Sequence, residues 1–227
     1  MASSTYNLIP YIIGTFSSAS FTSLLDVGIG FGKWGVLVRE YYDFSKASNP
    51  NDLLKQNWRI RVDGIEVFPD FISDLHRYIY NEIYVGPAQE IINTLGKYDF
   101  ILMVAVLAHF PRDIGLSLVE KLYNHANEAV VLTIPTKRWP QDDIFENPYE
   151  VHHDVEWWKE EFTFAKHVTY KDLPQGERIV VLSRDKFIEV ANPYRSNFVV
   201  KTKKIIKGLI GDKLSKRLVA FMRYLKK

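Results

Sequence analysis

Short apolar runs alternate along the chain with segments whose apolar residues recur every three or four positions. Residues 21–27 (FTSLLDV), 60–67 (IRVDGIEV), 98–106 (YDFILMVAV) and 129–134 (AVVLTI) read as strands. Of these, 98–106 is apolar on both faces and belongs inside a covered sheet. Residues 33–42, 69–80, 88–95 and 114–124 read as the helices between strands, with Pro69 placed at a first helical turn. IYV at 83–85 makes a short further strand. Residues 162–170 and 178–184 flank LPQGE and read as a hairpin, which requires antiparallel partners. The alternation predicts an α/β protein with a Rossmann-like, three-layer arrangement: a mostly parallel seven-stranded sheet whose last strand is antiparallel. The polar, proline-containing stretch 44–58 (FSKASNPNDLLKQNW) reads as an insertion before the second strand.

Composition narrows the picture. At 227 residues, 47% apolar and 25% charged, the chain suits one large globular domain with a small appendage. It has no cysteine, which excludes a disulfide scaffold, a thiolate metal site and a cysteine nucleophile. The opening MASSTYNLIP has no charged n-region and no uncharged apolar run nears the ~20 residues of a membrane span, so a cytoplasmic protein is expected. The net charge of +2 conceals an asymmetry. Residues 195–227 hold eleven Lys/Arg and one acid, leaving eighteen Lys/Arg against twenty-six Asp/Glu of the total 29 and 27 for the rest. A domain over 1–192 and a basic tail over 193–227 are therefore expected. In the tail Ile205, Leu209, Ile210, Leu214, Leu218, Met222 and Leu225 follow helical spacing, with Gly208 and Gly211 splitting it before Asp212 as an N-cap. Such a helix docks on its own domain, lies on an anionic membrane surface, or binds nucleic acid. No RNA-binding fold accompanies it, so nucleic acid ranks below the membrane.

Chemistry gathers first at LLDVGIGFGKWG, residues 24–35. Glycines between a strand and a helix, at the carboxyl end of a parallel sheet, let backbone approach a ligand. The spacing is G-x-G-x-G, not that of a pyrophosphate fingerprint, and no GK[ST] follows. Asp26, two residues before the first glycine, suits a ligand with positive charge. Glu66 ends the second strand, where a carboxylate accepts hydrogen bonds from both hydroxyls of a ribose. GPAQE (86–90) follows the third strand, where an adenine edge would lie.

With these motifs the chain resembles the class I S-adenosylmethionine-dependent methyltransferases, over roughly residues 20–185. LLDVGIGFGKWG resembles the family's first motif, GIEVFPD its acidic second-strand motif, KYDFILMVAVLAHFP its fourth strand, AVVLTIP its fifth, and the final hairpin its reversed seventh strand. The resemblance implies S-adenosylmethionine as cofactor. Asp26 and the loop of Gly28, Gly30 and Gly32 would hold its methionine part and Glu66 the ribose. Val67 and Phe68 would pack on the adenine, Ala88 and Gln89 would border its edge, and Val104 is a further cofactor-binding candidate. Two features depart from the family pattern. Pro87 stands where many members have an acid, and the 44–58 insertion separates Glu66 from the glycines by more than the usual ~20 residues.

The acceptor side should come from segments after the fourth and fifth strands. VLAHFP resembles the LEHF of many members with Ala108 for the acid, and makes His109 a candidate for substrate contact or proton removal. Residues 135–158 (PTKRWPQDDIFENPYEVHHDVEWW) carry three tryptophans and two adjacent histidines, of which His152 is the better candidate; the same rings would also serve as a surface lid. NPYE at 147–150 is similar to a motif of nucleic-acid amino-methyltransferases, but that motif belongs on the fourth strand. His152, His153 and Asp154 lack a spaced partner, so no metal is expected. The expected function is methyl transfer to a small-molecule or glycan-like acceptor, at oxygen, by a cytoplasmic protein that its tail makes peripheral to a membrane. The alternatives are an RNA methyltransferase using the tail and a non-catalytic S-adenosylmethionine-binding scaffold.

Overall fold

The computed structural model describes residues 4–137, 142, 147–151 and 157–193. The chain divides into compact units over 1–191 and 192–227, and the basic tail from 194 onwards, like His152 and His153, lies outside the described residues.

Seven strands form one sheet: β1 (Ser23–Val27), β2 (Arg61–Glu66), β3 (Ile83–Val85), β4 (Tyr98–Met103), β5 (Ala126–Pro135), β6 (His167–Asp172) and β7 (Glu177–Ser183). Their order is β3-β2-β1-β4-β5-β7-β6. The first five pair in parallel; β7 inserts antiparallel between β5 and β6. This is the predicted sheet with its single reversed strand. The strand order turns at β1 and β4, where a crevice opens at the carboxyl ends.

Alternation along the strands sends side chains into two cores. Leu24, Val62, Phe100, Leu102, Val131 and Val181 face the layer of α1 (Ile9–Phe16), α2 (Lys33–Val38) and α3 (Asp74–Ile79). Leu25, Val27, Ile65, Ile101, Val130 and Val180 face α4 (Ala88–Ile91) and α5 (Arg112–His125). Helix α1 leaves little signal in the sequence because eight residues are too few for a helical stripe to repeat; the structure buries Ile12, Ile13 and Phe16. The helix expected over 33–42 loosens into a π-turn at Arg39–Asp43, and that over 69–80 begins as a 3-10 turn before Ser73 caps α3. Strand β6 starts at His167 rather than 162, because Phe162 and Phe164 turn into the second core beside Tyr123.

The insertion forms short 3-10 turns at Phe44–Lys46, Pro50–Leu53 and Lys55–Asn57. Its base is closed by Arg39, which is fully buried. Arg39 donates to the Ile79 carbonyl (2.9 Å), Asp43 Oδ2 (2.9 Å), Asn81 Oδ1 (2.7 Å) and the Ile60 carbonyl. Asp43 Oδ1 in turn accepts from the Arg59 and Ile60 amides. The buried cation is thus paired and hydrogen-bonded on each side, as burial demands.

Candidate functional site

The crevice contains a cavity of ≈330 Å³, within the usual range of small-molecule sites. The backbone beneath it is tightly turned. Gly28, Gly30 and Gly32 have φ of 76°, 49° and 80°, the left-handed region that a side chain resists. Gly28 and Ile29 donate to the Ile65 carbonyl. A Cβ on Gly28 would run into Val106, and one on Gly32 would meet the His76 ring at 3.1 Å, so two of the three glycines answer to neighbouring side chains.

Glu66 ties this loop to β2. Its Oε2 accepts from the Gly30 amide at 2.9 Å and its Oε1 from the Phe68 amide at 3.0 Å. Burial raises its carboxyl above the usual range; the Phe68, Gly30 and Val67 amides pull it back, and the charge of Glu150 pushes it up again. The far side of the loop is held by His76. The Ser73 amide donates to Nδ1 (3.1 Å), so Nδ1 accepts and Nε2–H donates to the Gly30 carbonyl (2.9 Å). Burial lowers the His76 pKa, which keeps this neutral tautomer.

Of the residues singled out from sequence, Gly28, Gly30, Glu66, Val67, Ala88, Gln89, Val104 and His109 line the cavity. Asp26, Gly32 and Phe68 do not. Strand alternation turns Asp26 into the α1–α3 layer, where the Tyr80 hydroxyl donates to its Oδ2 at 2.7 Å. Its Oδ1 is buried with no hydrogen-bond partner among the described residues. Burial lifts the Asp26 pKa to about 7, against the Tyr80 hydrogen bond. Phe68 instead packs edge-on against Phe71, which does line the cavity and lies 5.0 Å away between ring centres.

Other lining residues gave little signal. Ala105, beside Thr133, whose Oγ1 accepts from its amide at 2.8 Å, has a φ of 57° that places it in the left-handed region. NPYE, set aside because it follows the wrong strand, comes into the cavity with all four residues. Asn147 Oδ1 accepts from the Tyr149 amide (3.0 Å), capping a 3-10 turn over Pro148–Glu150, and His109 Nδ1 donates to the Val151 carbonyl (3.1 Å). That bond puts the neutral ring's lone pair on Nε2. Among the tryptophans of the segment, Trp157 is buried against Gly115 of α5, whereas Trp158 is exposed.

No family model matches the sequence, and no curated protein matches it. Solved structures do. An O-methyltransferase family protein from Burkholderia thailandensis is 10% identical, with a TM-score of 0.55 over 78% of this chain and 54% of that one. An O-methyltransferase candidate from Nostoc punctiforme PCC 73102 is 18% identical, TM-score 0.54, over 78% and 56%. The small RNA methyltransferase HEN1 is 17% identical, TM-score 0.52, over 80% of this chain and 25% of that one. The chain spans little more than half the length of the first two. The fold is that of the class I S-adenosylmethionine-dependent methyltransferases.

Proposed function

We propose that the protein is a methyltransferase that binds S-adenosylmethionine in this cavity and methylates a small-molecule or glycan-like acceptor at oxygen. The carrying observation is the meeting, in one cavity, of the glycine loop, the Glu66 carboxylate and Gln89, whose Oε1 is buried and unpartnered among the described residues. Each fits one part of the cofactor. The left-handed loop offers close backbone approach to the methionine part. Glu66 retains lone pairs for ribose hydroxyls beyond the amides it already accepts. Gln89 Oε1 is an acceptor placed for the adenine amino group, the role left open by Pro87. Asp26, Gly32 and Phe68 belong to the supports of the site rather than its wall.

S-adenosylmethionine, when bound, supplies an electrophilic methyl on a sulfonium, whose sulfur keeps the C–S electron pair as the acceptor oxygen bonds to the methyl carbon. The chain's task is then to orient the acceptor in line and take its proton. His109 suits the second role: Nδ1–H is held by Val151, and Nε2 receives the proton released by the hydroxyl. His152, which lies outside the described residues, is the second candidate.

Titration calorimetry with S-adenosylhomocysteine tests the reading. Micromolar binding that Glu66→Ala and Gln89→Ala each weaken supports it; wild-type protein that takes up no heat overturns it. The basic tail is assigned to an anionic membrane surface, and flotation with anionic liposomes, with and without residues 195–227, separates that role from none. The likeness to HEN1 keeps RNA as the second reading. The carboxylates lining the cavity count against a polyanionic acceptor, and absence of RNA retention at low salt excludes it.

A further inference from the structure

His76 stands at the third position of α3, after the Ser73 cap, where a glutamate or glutamine ordinarily completes a capping box. An imidazole there can do two things at once, because its nitrogens point in diverging directions. Nδ1 accepts from the Ser73 amide at 3.1 Å and closes the box. Nε2–H donates to the Gly30 carbonyl at 2.9 Å, 46 residues away in the chain. The ring has little room to leave this place. It is 2% exposed and stacks on Tyr80, with 6.2 Å between centres and 12° between planes. Its Nε2 lies 3.1 Å from where a Cβ on Gly32 would stand.

The loop that it meets has the opposite character. With glycine at positions 28, 30 and 32, its own side chains do little to fix its path. Gly30 is instead pinned at both ends: Glu66 takes its N–H and His76 its C=O. A trans peptide aims its C=O and N–H in opposite directions, so the bond to His76 also turns the Phe31 N–H away from that ring. Gly30 and Phe31 both line the cavity, while His76 stands behind them, outside the wall. Without the imidazole donor the peptide between them is free to turn. A ligand would then have to order it, at a cost in affinity.

Resting on the methyltransferase reading, we propose that His76 is a positioning residue for cofactor binding, whose Nε2 presets the Gly30–Phe31 peptide for S-adenosylmethionine while its Nδ1 serves only the helix cap. The imidazole touches no ligand and acts through the loop.

Substitution separates the two roles. An asparagine amide reaches about as far as Nδ1, and a glutamine amide about as far as Nε2. His76→Asn therefore keeps the cap and loses the loop, whereas His76→Gln keeps the loop. In calorimetry with S-adenosylhomocysteine, His76→Asn should bind about tenfold more weakly than wild type and His76→Gln within about threefold of it. In the free protein, hydrogen exchange at the Gly30 amide should quicken about tenfold in His76→Asn and little in His76→Gln. Thermal midpoints and near-ultraviolet circular dichroism of both variants show whether each is folded and how far stability alone has moved. Three results overturn the role of His76 while wild-type binding leaves the methyltransferase reading standing: an asparagine variant that binds like wild type, a glutamine variant no better than the asparagine one, or losses that follow the thermal midpoints. Wild type that takes up no S-adenosylhomocysteine overturns both.

Discussion

The Tyr80 hydroxyl and Asp26 Oδ2 meet at 2.7 Å in a layer where both residues are 1% exposed. The ring reaches that point through two gaps: a Cβ on Gly35 would meet its Cζ at 2.6 Å, and one on Gly64 would meet its Cδ1 at 3.2 Å. An acid in the first motif, a glycine in α2 and a glycine in β2 thus answer to one tyrosine.

Asp26 makes stability depend on pH in a direction opposite to most carboxylates. Its folded pKa of about 7 lies above the unfolded value near 3.8, so the folded state holds the extra proton in between. Its favourable contribution is full below about pH 4 and is lost as pH rises through 7, a difference of up to about 4 kcal/mol. Asp26→Asn should be more stable than wild type at pH 8 and differ little at pH 5. Thermal unfolding at the two pH values checks this, and a wild-type advantage that grows with pH would count against it.

Tyr80→Phe removes the donor and leaves Asp26 with neither oxygen partnered among the described residues. A loss of about 1–3 kcal/mol is expected in denaturant unfolding. Because the Tyr80 bond holds the Asp26 pKa down, the pH midpoint of stability should move upward in the same variant.

Gly115→Ala places a methyl 2.6 Å from Trp157 Cη2 and 3.0 Å from Leu107 Cδ1. Overpacking of about 1–3 kcal/mol should exceed the ~1 kcal/mol that alanine adds to a helix. Trp157 fluorescence and urea unfolding report it together.

His109→Ala frees the Val151 carbonyl and with it the end of the NPYE turn. Hydrogen exchange at the Glu150 and Val151 amides should quicken about tenfold, while the core amides of β4 stay protected. Unchanged exchange there would remove His109 as the fastening of the turn.

The mostly parallel seven-stranded sheet and its two covering layers were legible because buried parallel strands leave dense apolar runs and the glycines sit at one topological place. Glu66, Gln89 and His109 could be placed beside the crevice for the same reason: Glu66 ends β2, and the other two follow β3 and β4 within six residues. That Asp26 stands off the cavity wall was not legible, because the motif marks its position and not its facing, which strand alternation decides. His76 and Tyr80 were silent, since their roles arise from partners 46 and 54 residues away in sequence. Asn147 through Glu150 looked like a motif on the wrong strand, and only the fold brings that turn back over the cavity.

The buried Arg39 knot has a consequence for how this chain can vary. Because Arg39 and Asp43 grip the neck of residues 44–58 from beneath, that stretch enters and leaves the sheet at two pinned points. Residues 47–54 are therefore expected to exchange without shifting the register of β2, whereas Lys55, which holds the Arg77 and Tyr80 carbonyls, and Trp58, on which Arg39 lies, are fixed. The neck is a socket, and the outer turns it carries are the replaceable part of the insertion.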